Sequence, residues 1–222
     1  MNKIIQVAID SPAAAGAGTQ AKMIANHFNL LYLDTGKIYR FIGYLKIKKK
    51  KKFNYSLIKN EIKKIKIKNL NNRVLLLNKV ALEAAIIAKD PKIRKIVFKF
   101  QKKCAYRPPN KFNGSVLDGR DITSVILKDA IFKFFITANV KTRALRRYKE
   151  LRSMKNKISY NGVLKSIKKR DKSDYNRKYS PLKKTKDSIL INTTNLTKKA
   201  CFLKIKKIMD KKLKNKWKYL KN

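Results

Sequence analysis

The sequence predicts an α/β fold in which helices cover both faces of a mostly parallel β-sheet. Short apolar segments typical of buried strands alternate along the chain with segments that have helical periodicity. The chain has 222 residues, enough for one domain with a full core and small insertions. Its hydrophobic fraction of 44% indicates a globular protein despite the high charge.

Each element is predicted from its local pattern. Strands are predicted at 4–10, 30–33, 114–117, 130–137 and 188–192. Helices are predicted at 19–28, 37–45, 81–88, 91–100, 139–152, 163–169 and around 201–209. Pro91 suits the first turn of its helix. The Lys-rich segment from Lys46 to Lys79 is predicted to form short strands or edge elements, because of Ile62, Ile65, Ile67 and the apolar run at 74–77.

The net charge of +45 is the most prominent bulk property. It suggests either nucleic-acid binding or a compositional bias. We favour the bias, because the excess is nearly all Lys and because Lys, Ile and Asn all have A/T-rich codons. A strongly positive field would still speed the arrival of anionic substrates.

Several classes of protein are excluded by what the sequence lacks. No apolar run approaches ~20 residues, so a membrane span is not expected. A strand begins almost at the N-terminus, which leaves no room for a signal peptide. Cys104, Cys201 and the single His27 do not suggest a disulfide framework or a metal site. The cytoplasm is the expected location.

The first informative motif is the loop from Ser11 to Thr19, which follows a strand and precedes a helix. This arrangement is typical of a phosphate-binding P-loop, whose backbone N–H groups hold phosphate at a helix N-terminus. The usual pattern G-x-x-x-x-G-K-[ST] would place its first glycine at Ser11 and its lysine at Ala17. The loop therefore has the expected shape but lacks its lysine.

Further polar motifs follow other predicted elements. Asp34 and Thr35 end one strand, and the turn Asp118–Asp121 ends another, where ligands of parallel sheets bind. Arg170 and Arg177 lie seven residues apart and would share a face if the segment is helical. Taken alone, these motifs are also compatible with a plain helix cap and with charged, exposed segments. Arg146 and Arg147 are interpreted as solvent-exposed helix charges.

Together these motifs resemble those of bacterial cytidylate kinase, a family of P-loop nucleoside monophosphate kinases. The resemblance rests on their order and spacing, and only the Lys-rich middle and the C-terminal tail have little to compare. The matching motifs are Ile9-Asp10-x-Pro12 with its loop, Leu33-Asp34-Thr35-Gly36-x-Ile38-Tyr39-Arg40, Asp90-Pro91-x-x-Arg94, Asp118-Gly119-Arg120-Asp121, Arg170-Asp171-x-x-Asp174-x-Asn176-Arg177 and Thr193-Thr194-Asn195-Leu196.

The resemblance implies a single P-loop NTPase-type kinase domain in three parts. The core would comprise 1–42, 90–155 and 183–222, with a monophosphate-binding insertion at about 43–89 and a small lid at about 156–182. It also implies transfer of the γ-phosphoryl group of ATP to CMP or dCMP, with Mg²⁺. The family further implies a monomer in the cytoplasm.

The resemblance further assigns roles to individual residues. ATP would be bound by Ser11, Pro12, Ala13, Ala14, Ala15, Gly16, Ala17, Gly18 and Thr19, with the Thr19 hydroxyl on Mg²⁺. CMP would be bound by Thr35, Tyr39, Arg40, Arg94, Arg120, Asp121, Asp174 and Arg177. The catalytic residues would be Arg120, Asp121, Arg170 and Arg177. A planar guanidinium can hold two phosphate oxygens at once, which suits the arginines.

The sequence departs from the family pattern mainly at the donor loop. Four differing residues lie in the loop: Ser11, Ala14, Ala15 and Ala17. Outside it, the resemblance would have a serine near the cytosine at Ala85, a glycine at Thr123 and a lid arginine at Ser173. Loss of a lysine that acts like other electrostatic stabilisers would raise the barrier by roughly 3–4 kcal/mol. Lys22 is too far around the helix to replace it, and Ser11 adds a Cβ where a glycine conformation is expected. We therefore expect weakened activity.

Two other functions are compatible with the sequence. One is a catalytically inactive relative that keeps the fold and still binds CMP. The other is a basic nucleic-acid-binding module, ranked last because the aromatic residues do not form a stacking platform. Uridylate and adenylate kinases share the implied fold, but Asp118–Asp121 together with Leu33–Gly36 favours the cytidylate type.

Overall fold

The fold is built on one sheet of five parallel strands. The computed structural model describes residues 4–153 and 158–218. The strands are β1 (Ile5–Asp10), β2 (Leu31–Asp34), β3 (Gly114–Gly119), β4 (Phe132–Thr137) and β5 (Ile189–Asn192). Their order in the sheet is β2-β3-β1-β4-β5, and all pairs are parallel. The predicted α/β class and the five strands predicted outside the Lys-rich segment are confirmed.

Helices connect the strands and cover both faces of the sheet. The described α-helices are α1 (Ala17–Phe28), α2 (Thr35–Lys49), α3 (Tyr55–Lys64), α4 (Asn78–Ile87), α5 (Pro91–Tyr106), α6 (Val140–Ser153), α7 (Tyr160–Asn176) and α8 (Lys198–Lys218). Pro91 is the first residue of α5, as predicted, and Asp90 caps that helix by accepting from two backbone N–H groups.

The core lies on both faces of the sheet. Successive residues of a strand point to opposite faces, so Val7 and Ile9 pack with α1 and α8, whereas Ala8 packs on the other face with α2 and α5. A third, smaller cluster of Ala144, Val163 and Ile167 joins α6 to α7. This burial fixes the register of the strands and brings their carboxyl ends to one edge.

The insertion is helical, and the prediction of short strands or edge elements between Lys46 and Lys79 is wrong. The backbone of that segment, which the structure describes throughout, forms the end of α2, α3, the start of α4 and three 3₁₀ segments, Lys50–Lys52, Ile67–Asn71 and Arg73–Leu76. Ile58 and Ile62 lie four residues apart in α3 and are both buried. The apolar residues therefore follow a helical period, since one turn brings each back to the core.

The segment predicted to form the lid contains a longer helix than expected. α7 covers residues 160–176 instead of 163–169 and includes Arg170, Asp171 and Asp174. The predicted start of the lid at Asn156 lies outside the described residues. Within the described chain, the helices include none that is both long and apolar enough to cross a membrane.

Candidate active site

The loop between β1 and α1 has the backbone shape of a phosphate cradle. The N–H group of Ser11 donates to the carbonyl oxygen of Gly119 at 3.2 Å, which ties the loop to β3. Gly16 caps α1 with a φ of 91°, in the left-handed region that favours glycine. Ala14 also has a positive φ, of 59°, and Ser11 does not. The strain expected at Ser11 therefore falls on Ala14.

Ala17, at the position of the missing lysine, begins α1. Its side chain is only 4% exposed and packs with Ala15 and Ile24 in the apolar cluster on one face of the sheet. Lys22 is exposed further along α1. The loop can thus bind phosphate through its backbone N–H groups and the N-terminus of α1, but its own side chains supply no positive charge.

Residues from α6 and α7 hold the loop in place. The Arg143 guanidinium donates to the carbonyl oxygen of Ala13 at 2.9 Å and pairs with Asp171 at 2.6 Å. The second oxygen of Asp171 accepts from the N–H group of Ala13 at 3.1 Å. The N–H group and the carbonyl oxygen of Ala13 are therefore both hydrogen-bonded to the buried Arg143–Asp171 ion pair. The sequence assigned no role to Arg143 or Asp171.

A second contact braces the other side of the loop. The hydroxyl of Thr193, after β5, donates to the carbonyl oxygen of Ala15 at 3.1 Å. Arg146 in turn donates to the hydroxyl and the carbonyl oxygen of Thr193 at 2.9 and 2.6 Å. The interpretation of Arg146 as a solvent-exposed charge is wrong. Arg146 lies three residues after Arg143, so both arginines share one face of α6. This spacing is the sequence feature that could have predicted a role for Arg146.

The predicted CMP side of the site contains arginines and carboxylates that are buried or partly buried. Arg94, from α5, forms an ion pair with Asp121 and places its guanidinium 5.6 Å from the centre of the Tyr39 ring. Arg177 lies beside this group, and burial together with the charge of Arg94 lowers its pKa. One terminal nitrogen of Arg177, Nη2, is buried and has no protein partner among the described residues. An anion is the natural partner for that donor.

Asp174 connects the arginines of the lid helix with the turn after β3. It accepts from Arg120 Nε at 2.7 Å and lies 3.7 Å from Arg177 Nη1 and 3.9 Å from Arg170 Nε. Arg177 is the residue after α7, so the predicted common helical face holds only for Arg170. Arg177 is instead held by its Nε, which donates to the carbonyl oxygen of Ser180 at 2.6 Å.

Four arginines lie close enough to one another to repel. Partial desolvation and the charges of Arg120, Arg40 and Arg147 lower the pKa of Arg170, whose side chain is 48% exposed. Burial and the charge of Arg147 also lower the pKa of Arg40, which donates to the carbonyl oxygen of Leu75 at 2.8 Å. Such a cluster favours a bound polyanion, because phosphate charge would relieve the repulsion.

The carboxylate of Asp118 has an unused oxygen beside the loop. Its Oδ1 is buried and accepts no hydrogen bond in the described structure. Burial, reinforced by the charge of Asp34, raises the pKa of Asp118 to about 8. A Cβ at Gly18 would lie 3.6 Å from Asp118 Oδ2, so this carboxylate adjoins the start of α1. Its chemistry suits a hard cation that takes oxygen ligands.

Gly119 allows the start of α2 to lie close to the end of β3 at the site. The Thr35 hydroxyl donates to the carbonyl oxygen of Asp118 at 2.8 Å. A Cβ at Gly119 would lie 2.4 Å from that hydroxyl oxygen, which no side chain could tolerate without a shift. Thr35 is consequently buried and fixed at the carboxyl edge of the sheet.

The described residues contain no group of three or more His, Cys, Asp or Glu that could hold a metal by themselves. A cation here would therefore depend on substrate phosphates for part of its coordination.

Of the other positions that differ from the family pattern, Ala85 is exposed on α4, Ser173 is half-buried on α7, and Thr123 is buried. The structure thus brings the predicted site residues to one edge of the sheet, while their individual roles stay predictions.

Comparison with known proteins agrees with this geometry. A family model described as cytidylate kinase matches residues 7–211. The chain belongs to the cytidylate kinase family. The cytidylate kinase of Clostridium botulinum (strain Loch Maree / Type A3) is 40% identical over 205 residues, which cover 87% of this chain and 92% of the relative. The predicted membership of this family is confirmed.

Two further members of the cytidylate kinase family and one solved structure extend the comparison. The cytidylate kinase of Bartonella tribocorum is 40% identical and covers 88% of this chain and 90% of its own. That of Clostridium tetani is 38% identical and covers 93% and 94%. An uncharacterized protein from Eubacterium ventriosum shares the fold at a TM-score of 0.55 and 19% identity, covering 94% of this chain and 99% of its own.

Proposed function

We propose that this chain transfers the γ-phosphoryl group of ATP to CMP or dCMP, giving ADP and CDP or dCDP. The observation that supports this most is the buried, unpartnered Nη2 of Arg177, which lies beside the Arg94–Asp121 pair. These groups share the carboxyl edge of the sheet with the phosphate-binding loop. A monophosphate and a triphosphate could therefore be held at one edge, as phosphoryl transfer requires.

On the acceptor side, Arg40, Arg94 and Arg177 would hold the phosphate of CMP. A buried guanidinium with a free N–H group gains a charge-assisted hydrogen bond when a phosphate oxygen arrives. The proposed CMP site is completed by Thr35, Tyr39, Arg120, Asp121 and Asp174. Asp121 could accept from the cytosine amino group or from a sugar hydroxyl. In this structure Asp174 is turned toward three arginines, which favours its role in orienting them.

On the donor side, the backbone of residues 11–19 would hold the phosphates of ATP. Arg120 and Arg170 stand between the two sides and would neutralise charge that spreads over the transferred phosphoryl oxygens. Arg147 is a further candidate for this role, because its charge acts on both Arg40 and Arg170. The protein then contributes positioning and electrostatic stabilisation, with no covalent intermediate.

Mg²⁺ fits the residues beside the loop. Thr19, Asp118 and Asp34 would hold it, together with phosphate oxygens of ATP. The unpartnered Oδ1 of Asp118 and the proximity of Asp34 support this set. When bound, Mg²⁺ would neutralise phosphate charge and orient the phosphates. The positive charge of the ion would offset the repulsion between the Asp118 and Asp34 carboxylates. Burial strengthens that repulsion.

The three-part division into core, insertion and lid also remains a proposal. The insertion at about 43–89 contacts the acceptor side through Leu75 and Arg40. The lid at about 156–182 contacts both sides, through Asp171 at the loop and Asp174 at the turn after β3. We propose that these parts close on the substrates and that the protein acts as a cytoplasmic monomer.

A coupled assay of ADP release tests the proposed function. We expect turnover with CMP or dCMP that exceeds turnover with UMP or AMP. Equal turnover with all four monophosphates would contradict the cytidylate assignment. Calorimetry with CMP, run in parallel, separates an enzyme from a chain that only binds.

The second candidate is a CMP-binding protein without catalytic activity, and Ala17 is the observation that favours it. Binding of CMP in the calorimeter with no ADP release at any protein concentration would identify it. Absence of CMP binding, together with steeply salt-dependent binding to RNA or DNA, would instead support the nucleic-acid-binding alternative.

A further inference from the structure

Asp10, the last residue of β1, is a buried carboxylate with no part in the proposed reaction. Its side chain is fully buried and accepts three hydrogen bonds. Oδ1 accepts from the N–H group of Ile122 at 2.8 Å. Oδ2 accepts from the N–H group of Thr123 at 2.8 Å and from the Thr123 hydroxyl at 2.6 Å. Every one of these donors belongs to the short π-helical turn Ile122–Ile126.

The end of β1 therefore binds both flanks of the pair Arg120–Asp121. Asp10 binds the residues that directly follow this pair, while the N–H group of Ser11 donates to Gly119, which directly precedes it, at 3.2 Å. Two consecutive residues of one strand thus fix the turn on each side. Because Ser11 also begins the phosphate loop, the turn and the loop are held to one short piece of backbone.

The charges around Asp10 also affect this group of contacts, in which Asp10 and Ser11 hold the two sides of the turn at Arg120–Asp121. Burial raises the pKa of Asp10 to about 6, and the charge of Asp121 acts in the same direction, while the three hydrogen bonds oppose the shift. The carboxylate of Asp10 in turn helps to raise the pKa of Arg120. The ionised form of Asp10 depends on its donors, since a buried carboxylate without them is costly.

The hydroxyl contact from Thr123 to Asp10 is specific to this chain, because the resemblance would have a glycine at position 123. A glycine would supply only its backbone N–H group. The threonine adds a hydroxyl donor, and at 1% exposure that hydroxyl has no access to solvent. Its β-branched side chain also restricts the local backbone.

We propose that Asp10 and Thr123 are positioning residues that fix Arg120 and Asp121 relative to the phosphate loop, and that the Thr123 hydroxyl thereby sets the affinity for the acceptor monophosphate. The inference rests on the proposed function. Asp121 pairs with Arg94, and Arg120 pairs with Asp174, so a shift of the turn misplaces both pairs at once. Such a displacement is felt on the acceptor side, whereas the loop keeps its own braces from Arg143 and Thr193.

Calorimetry on three forms of the full chain tests the proposal, with CMP and ATP as separate titrants. For Thr123→Val, which keeps the shape and removes the hydroxyl, we expect the Kd for CMP to rise about tenfold. For Thr123→Ser, which keeps the hydroxyl, we expect a Kd within about twofold of the natural protein. The Kd for ATP should stay within about twofold in all three forms.

The outcomes separate this inference from the proposed function. No CMP binding by the natural protein would overturn the proposed function, and the inference with it. Normal CMP binding by Thr123→Val with a lower Tm would overturn the inference alone, because the hydroxyl would then serve only the fold. Equal weakening of CMP and ATP would overturn it too. If Thr123→Val does not fold, Thr123→Ala replaces it, since alanine adds no atoms to the core. The Kd for CMP and the Kd for ATP are then compared in the same way.

Discussion

The proposed donor loop and the proposed acceptor site lie at the same edge of the sheet and differ in chemistry. From Ser11 to Thr19 the loop has no charged side chain, and its shape is held from outside by Arg143, Asp171 and Thr193. The acceptor site instead consists of charged side chains. Arg94 and Arg177 are buried there with their carboxylate partners.

This difference shows which substitutions each region can tolerate. A loop that binds phosphate through its backbone keeps its geometry when side chains become alanine, provided that its braces remain. A site that binds through guanidinium groups loses its function with the side chain itself. The chain departs from its family pattern at four loop positions, yet it retains every arginine that the resemblance assigns to the acceptor.

The largest expected effect comes from removing a brace of the loop. We expect Asp171→Ala to lower the free energy of unfolding by about 3–5 kcal/mol, because Arg143 stays buried without its partner. Chemical denaturation measures this change. The matched control is Asp210→Ala, which breaks an ion pair with Lys206 whose side chains are 33% and 34% exposed and should cost about 0–1 kcal/mol. Similar costs for both variants would contradict the role of the brace.

The next effect concerns Asp10, which is shared by the two regions. Burial raises the pKa of Asp10 from its ordinary 3.8 to about 6, so the folded protein holds the proton more tightly than the unfolded chain does. Its contribution is fully present below about pH 4 and is lost as the pH rises through 6, up to about 3 kcal/mol. Stability measured from pH 4 to 7 should fall more steeply in the natural protein than in Asp10→Asn. Parallel curves would contradict the assignment.

Loss of one acceptor arginine should affect CMP far more than ATP. For Arg177→Gln we expect the Kd for CMP to rise about 10- to 100-fold, since a charge-assisted hydrogen bond contributes about 1.5–3 kcal/mol. Calorimetry with each nucleotide measures the split. Arg73→Gln, at an exposed position of the insertion, is the control and should change neither Kd. A comparable loss of ATP affinity in Arg177→Gln would remove the distinction between the two regions.

The smallest effect is expected at Ala14, where the loop carries backbone strain. Ala14 has a φ of 59°, and an L-residue in this region costs about 1–2 kcal/mol that glycine avoids. Ala14→Gly should therefore stabilise the protein by about 1 kcal/mol in thermal or chemical unfolding. Ala13→Gly, at a buried position without a positive φ, should destabilise it. The reverse order of stability would contradict the backbone shape described for the loop.

Much of the fold could be predicted from the sequence, because buried strands leave short Ile-, Val- and Phe-rich runs. The segment from Lys46 to Lys79 was predicted wrongly, because Ile65 and Ile67 alternate like strand residues. The burial of Ile58 and Ile62 shows that the effective period is four residues. Lysine is abundant throughout this segment, so the sequence does not show a clear polar face opposite the apolar residues.

The site was predicted less completely than the fold. The arginines proposed for the acceptor could be named because each falls in a motif with a fixed spacing, and their roles stay predictions. Arg143 and Asp171 could not be given roles, because they act on a loop 130 and 158 residues away in sequence. The strain at Ala14 was misplaced to Ser11, since only the backbone conformation distinguishes the two positions.

The central claim is that the proposed acceptor site is better preserved than the donor loop, which is weakened by a missing positive charge. The most direct test is ADP release with CMP by the natural protein, by Ala17→Lys and by Ala17→Met, which has a similar length without charge. We expect the lysine to raise kcat by about a hundredfold or more, the methionine not to raise it, and the KM for CMP to stay within about twofold in the lysine variant. Equal turnover by all three proteins would contradict the claim, and no turnover by any of them would count against a kinase altogether.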